Sequence, residues 1–160
     1  ARYAPTAGNS QLVEWLVIND GARIREIAEL TINGLRELVK NPQIAAASPY
    51  LPAAIASWDA GNDSVLRGAQ TLIIAMAPKE AINGIVDITL ALSYLDLFAP
   101  VLGLGTCWAG LLQGVMLNSP EVKKAAGVPE HYHHYPIMVG YPDFGYHRLP
   151  ERKAPKFIFA

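Results

Sequence analysis

"INGIVDITLALSYLDLFAPVLGLG", residues 82–105, comes closer than any other stretch to a membrane span, and its reading decides the fold. Its length suits a bilayer. Its content does not: Asp87, Asp96 and Pro100 lie inside it. Each carboxylate near mid-bilayer costs on the order of 3 kcal/mol. The stretch therefore reads as a helix over Ile82–Leu102, bent or ended near Pro100, that is buried or faces a second copy of the chain. Asp87 and Asp96 are nine residues apart. That places them about 180° apart around a helix, so they form no paired-carboxylate site.

The bulk numbers agree with a globular chain. Its 160 residues fit one domain, 1–160, which buries enough surface to need no disulfides. The hydrophobic fraction is 51% and mean hydropathy is +0.19, at the upper edge for a globular protein. Part of that excess is expected at a subunit interface. A net charge of −1 gives no reason to expect nucleic acid or an anionic membrane as partner. Cys107 is the single cysteine. It allows no disulfide framework and points to a reducing, cytoplasmic setting. No signal peptide is visible, since no apolar run follows Arg2.

Outward from the long helix, strands and helices alternate. Leu12–Asn19 is apolar on both faces with Glu14 its only charge, as expected of a central strand covered on both sides. Asp20 can cap a helix over Ala22–Val39, whose apolar residues recur at helical spacing. Asn41-Pro42 breaks it. Pro49 and Pro52 divide residues 42–63 into short helical pieces and a loop ending in "WDAGND". Leu72–Met76 reads as a second strand and Tyr135–Val139 as a third, with Phe157–Phe159 as a possible fourth. Residues 103–110, "GLGTCWAG", read as a glycine-rich loop, and Pro120–Ala126 as a short helix capped by Ser119. The order indicates an α+β or α/β layered sandwich.

Four segments invite a chemical reading. His131, His133 and His134 cluster beside Glu130, but no second cysteine or HExxH-type helical pair accompanies them, so a polar loop is preferred to a metal site. Cys107 lies among glycines without an identifiable base, which favours a packed or cofactor-adjacent thiol over a nucleophile. "GLGTCWAG" is neither a dinucleotide fingerprint nor a Walker loop. It is a loop of little bulk where backbone N–H groups can approach a flat ligand. Finally, Arg148, Arg152, Lys153 and Lys156 face only Glu151 in the tail, a balance that suits a phosphate. "APTAGNSQ", residues 4–11, adds a loop of small and polar residues directly before the first strand. Together these suit a phosphorylated, planar cofactor with polar edges.

Several of these segments resemble one family. "ARYAPTAGNSQ" resembles the conserved loop of the FMN-dependent nitroreductases, and "GLGTCWAGLL" their second flavin-contacting loop. "VLRGAQTLIIAMAP" fits the strand between them. "MVGYPDFGYHRLPERKAPKF" resembles the tail of the branch often fused to a ferredoxin-like iron–sulfur domain. The resemblance implies a three-layer α+β sandwich, a central mixed or antiparallel sheet flanked by helices, in a homodimer with FMN at each interface. It places Pro5, Thr6, Ala7, Asn9 and Gln11 against the flavin from the partner subunit. Cys107, Trp108, Ala109 and Gly110 would offer backbone N–H groups to the ring edge. Arg148 and Arg152, with Lys153, would approach the phosphate, and Arg67 matches a position near the site loosely. In the family an arginine-bearing segment and a helix come before the loop; here that segment would lie ahead of Ala1.

The implied activity is an oxidoreductase that passes electrons through flavin N5 in a ping-pong cycle. The donor would be NAD(P)H or reduced ferredoxin, and the acceptor a nitroaromatic, quinone or other small flat molecule. The flavin carries the chemistry, so no side chain is expected to be catalytic and no metal is expected. Two alternatives stand beside it. One is another flavin reaction on this fold, reductive dehalogenation or flavin breakdown, for which residues 42–63 are the only stretch available as a lid. The other is a non-enzymatic dimeric flavin-binding or interaction module.

Overall fold

The structure, a computed structural model, describes residues 1–145, 148 and 151–159. Its four strands are β1 (Glu14–Ile18), β2 (Thr71–Pro78), β3 (Gly105–Trp108) and β4 (Tyr132–Gly140). They form one sheet in the order β1-β2-β4-β3, and every pairing is antiparallel. The six helices are α1 (Gly21–Leu38), α2 (Pro42–Ala47), α3 (Leu51–Asp59), α4 (Gly84–Phe98), α5 (Gly110–Met116) and α6 (Pro120–Ala125).

The sheet separates two apolar cores. Strand alternation sends Ile18, Leu72, Ile74, Met76 and Met138 to one face, where α1, α3, α5 and α6 bury them under Ile27, Ile32, Leu51, Leu112 and Val122. Ala75, Ala77 and Ile137 point to the other face, under Ile88 and Leu92 of α4. The result is the three-layer α+β sandwich. On the first face α1 and α5 approach closely. A Cβ built on Gly34 would lie 2.4 Å from Val115 Cγ1, so only glycine leaves room there.

Most elements form for the reasons legible in the sequence. Asp20 accepts from the backbone N–H groups of Ala22 and Arg23 at the start of α1, and Ser119 accepts from Val122 N–H at the start of α6. Pro42 opens α2 and Pro52 falls in the first turn of α3. The long apolar helix ends at Phe98, and Pro100 lies in a 3₁₀ turn over Ala99–Leu102.

Three expectations are corrected. β1 is an edge strand, not a central one, and its Val17 is 57% exposed in the single chain. Apolarity on two faces reports layers above and below a strand, not neighbours beside it. Residues 103–110 are not a plain loop: Gly105–Trp108 is strand β3, and Gly110 begins α5. The glycines hid a four-residue strand that owes its place to pairing with β4. Phe157–Phe159 forms no strand; it pairs with no sheet edge, and its three side chains are exposed.

Candidate functional site

α4 is the scaffold. It crosses β2 and β4 and buries Gly84, Asp87, Ile88, Ala91 and Leu92 along one stripe. Its start lies against the end of β2 and the start of β4, where a Cβ on Gly84 would meet His133 Cδ2 at 3.1 Å and the Pro78 carbonyl at 3.2 Å. Gly84–Leu102 is long and apolar enough to cross a membrane by length and composition alone. In this fold, however, both of its carboxylates are engaged by protein groups.

Asp87 is 3% exposed. Its Oδ1 accepts from the backbone N–H of Ala7 at 3.0 Å and so ties the 4–11 loop to α4. The loop is a tight, unusual piece of chain. A 3₁₀ turn covers Ala7–Asn9, Thr6 Oγ1 accepts from Gln11 N–H at 3.0 Å, and Gly8, Asn9 and Gln11 all have φ between 53° and 58°. For Asn9 and Gln11 that conformation costs on the order of 1 kcal/mol each. It keeps the loop short and turns its polar side chains outward. Pro5, Asn9 and Gln11 are exposed, Thr6 and Ala7 half-buried, and among the described residues neither the Asn9 nor the Gln11 side chain has a hydrogen-bond partner.

Asp96 does the same for the second loop. Its Oδ1 accepts from the Thr106 hydroxyl and its Oδ2 from Trp108 Nε1–H at 3.3 Å. Trp108 also meets Tyr135 edge to face, ring centroids 5.1 Å apart. These bonds fix β3 at the far end of α4. Cys107 is exposed and Ala109 buried.

One expectation for this loop changes. Ala109 N–H donates to the Pro136 carbonyl at 3.0 Å, so this donor is engaged within the chain. In an antiparallel edge strand alternate residues turn their N–H groups outward. That leaves Trp108, and Gly110 at the exposed start of α5, as the backbone donors of this segment. Read from the sequence as a pair, the two carboxylates have no role. They act apart, each on one loop.

The structure does not bring all expected site residues together. Asp87 and Asp96 are separated by about 14 Å along the helix, at 1.5 Å per residue. The loop over 4–11 and the β3 segment therefore sit at opposite ends of α4. Arg148, Arg152 and Lys153 are exposed, without regular structure, and in no ion pair among the described residues. Arg67 is exposed, with φ 55°. Tyr146, His147, Leu149 and Pro150 of the tail motif lie outside the described residues. Among the described residues no His, Cys, Asp and Glu group is placed to hold a metal.

The comparisons now bear on this geometry. The model of the nitroreductase family matches residues 1–141, and the chain belongs to that family. No match was found among curated protein sequences. Among solved structures, the chain is similar to a nitroreductase with bound FMN from Bacteroides fragilis NCTC 9343. That match has 21% identity and a TM-score of 0.70 over 97% of this chain and 78% of the other. A nitroreductase with bound FMN from Desulfitobacterium hafniense DCB-2 matches with 17% identity and a TM-score of 0.69 over 97% and 80%. An oxidized iodotyrosine deiodinase bound to FMN and 3-iodo-L-tyrosine matches with 20% identity and a TM-score of 0.64 over 96% and 79%. At these identities the likeness is one of fold.

Proposed function

We propose that the protein is an FMN-dependent oxidoreductase that works as a homodimer and reduces small flat acceptors such as nitroaromatics and quinones. NAD(P)H or reduced ferredoxin would be its electron donor. The observation that carries this reading is the division of one helix between two loops. Asp87 holds one and Asp96 the other, at opposite ends of α4. In a homodimer, a site between two copies can take one loop from each chain.

The donor set fits the cofactor. Outward N–H groups at Trp108 and Gly110, and the free amides of Asn9 and Gln11, suit the polar edge of a flat ring. Ala7 leaves room above it. Among the described residues, Arg148, Arg152 and Lys153 have no carboxylate partner, and they suit a phosphate. FMN, when bound, would supply the redox centre; the chain's part is to bind, orient and shield it.

The outer side of α4 supports the dimer. Val86, Tyr94, Leu97, Phe98, Val101 and Leu102 are exposed, a run of apolar residues that a second copy would cover. Residues 42–63 do not favour the lid-bearing alternatives. Leu51 is buried and Ile55 and Trp58 of α3 pack partly on the larger core, which anchors the middle of this stretch to the fold.

The purified protein's visible spectrum tests the proposal. A flavin spectrum bleached by NADH, NADPH or reduced ferredoxin and restored by a quinone is expected. A colourless dimer that takes up no added FMN would refute the reading.

A further inference from the structure

A second polar cluster lies on the α5 side of the sheet and plays no part in the proposed flavin site. His134 Nδ1 lies 2.9 Å from Gln113 Oε1, and the two residues are 4% and 8% exposed. Among the described residues, neither His134 Nε2 nor the Gln113 amide nitrogen has a hydrogen-bond partner. Yet among the described residues no fully enclosed side-chain nitrogen or oxygen lacks one. Both nitrogens therefore open onto the space these residues line.

That space is a cavity of about 390 Å³, bounded also by Lys79, Lys123, Glu130 and His133. Lys123 is 9% exposed. It uses two of its three N–H donors on the carbonyls of Glu130 at 2.9 Å and Tyr132 at 3.1 Å. Burial, and then the Lys79 ammonium, lower its pKa, while Glu130 raises it. Burial also pushes His134 down to about 4, with Lys123, His133 and Lys79 adding to the shift. Two ammonium groups and two buried nitrogens thus border one cavity against a single exposed carboxylate, Glu130. Two ammonium groups and the Gln113 amide are an excess of donors and positive charge at this cavity, and they call for acceptor oxygens.

We infer that this cavity binds a phosphate-sized oxyanion, free or as the phosphomonoester end of a small molecule. Lys79, the third N–H of Lys123 and the Gln113 amide donate to it. His134 joins them as the imidazolium, its Nδ1–H kept on Gln113 Oε1 and its Nε2–H turned to the anion, a protonation that a bound anion favours. The volume exceeds what a phosphate ion needs and leaves room for an organic tail.

The test is calorimetric titration of the FMN-loaded protein with inorganic phosphate at constant ionic strength, with the His134 imidazole followed by NMR. Loading first fills the flavin's own phosphate site. A protein that takes no flavin can be titrated in the same way, so failure here is distinguishable from failure of the flavin reading. Saturable binding is expected, with the His134 pKa rising by about one unit or more. Lys79→Ala changes an exposed residue, so the fold should persist, and it should weaken binding about tenfold. Glycerol 3-phosphate is the second probe. Tighter binding than phosphate assigns the site to phosphomonoesters, and equal binding to the free anion. No saturable binding of either probe overturns the inference. So does unchanged affinity in Lys79→Ala, or a His134 titration that phosphate leaves in place.

Discussion

The two faces of the sheet divide the work of the molecule unequally. On the α1 face, twenty buried apolar residues form one core under four helices. On the α4 face there are five, under one helix. The larger core has the close helix approach at Gly34 and Val115. The smaller one has both loop-holding carboxylates and the exposed apolar side of α4. Hydrophobic stabilisation follows buried apolar area, so the α1 face holds most of the stability. The α4 face is thinly covered, and the proposed site is built there. A fold arranged this way can lose packing on one face without losing its site, or lose the site without unfolding.

The largest effect expected from a single change tests the first half of that contrast. Ile32 of α1 is 1% exposed, and Ile32→Ala removes three carbons from a close-packed interior. A loss of about 3 kcal/mol is expected in urea unfolding. In the fraction that remains folded, flavin binding should be unchanged. A variant equally stable but unable to hold FMN would show that the α1 face builds the site after all.

Asp87→Ala tests the other half. It leaves the Ala7 N–H without its acceptor and releases the loop that bears Thr6, Asn9 and Gln11. FMN affinity should fall by about 2 kcal/mol, roughly thirtyfold. Asp96→Ala should cost less, about tenfold. There β3 remains paired with β4 and Trp108 remains against Tyr135. Equal losses in the two variants would show that the two loops are not held unequally. Separate measurement of KM and kcat adds a check. A loop that only positions the ring should change flavin retention before it changes turnover of the loaded enzyme.

A gentler lever is pH, through His134 on the α1 face. Its folded pKa is about 4, against about 6.5 in the unfolded chain. The folded state therefore binds fewer protons between those values. Stability from this group is fully present above about pH 6.5 and is lost as pH falls toward 4. The groups that face it are Gln113 on α5, Lys123 on α6, His133 on β4 and Lys79 after β2. Urea midpoints should decline across that window, and His134→Gln should flatten the decline. Flavin retention should not follow the same curve, since Asp87 and Asp96 hold the loops on the opposite face. A parallel loss of flavin would couple the two faces.

How much of this was visible in the residues differs between the faces. The α1 helix was legible because its apolar positions recur at helical spacing and Asp20 caps it. The long α4 helix and its end at Pro100 were legible for the same local reasons. β3 and α5 were not. "GLGTCWAG" is rich in glycine, and its strand exists only because β4 runs beside it. Pairing partners are tertiary information that a local pattern does not contain. β1 was misplaced to the centre for a related reason. The loop residues of the proposed site come from the family resemblance. The carboxylates that hold those loops were not legible, because Ala7 lies eighty residues before Asp87, and only the fold brings such partners together.

The smallest expected effect is at Asn9, and it separates two ways in which the loop can matter. Asn9 is exposed with φ 54°, a conformation that asparagine tolerates better than alanine. Its amide bonds nothing within the chain and is free to meet a ligand. Asn9→Ala removes the amide and strains the backbone together. A fivefold loss of FMN affinity, about 1 kcal/mol, is expected. Asn9→Gly removes the amide but relaxes the strain. If the amide touches the flavin, the glycine variant should lose affinity as the alanine variant does. If the glycine variant binds as the parent does, loop shape is what Asn9 supplies, and the contact belongs to Thr6 or Gln11. Full flavin occupancy in both variants would remove Asn9 from the site and leave the α4 face with one fewer difference from its opposite.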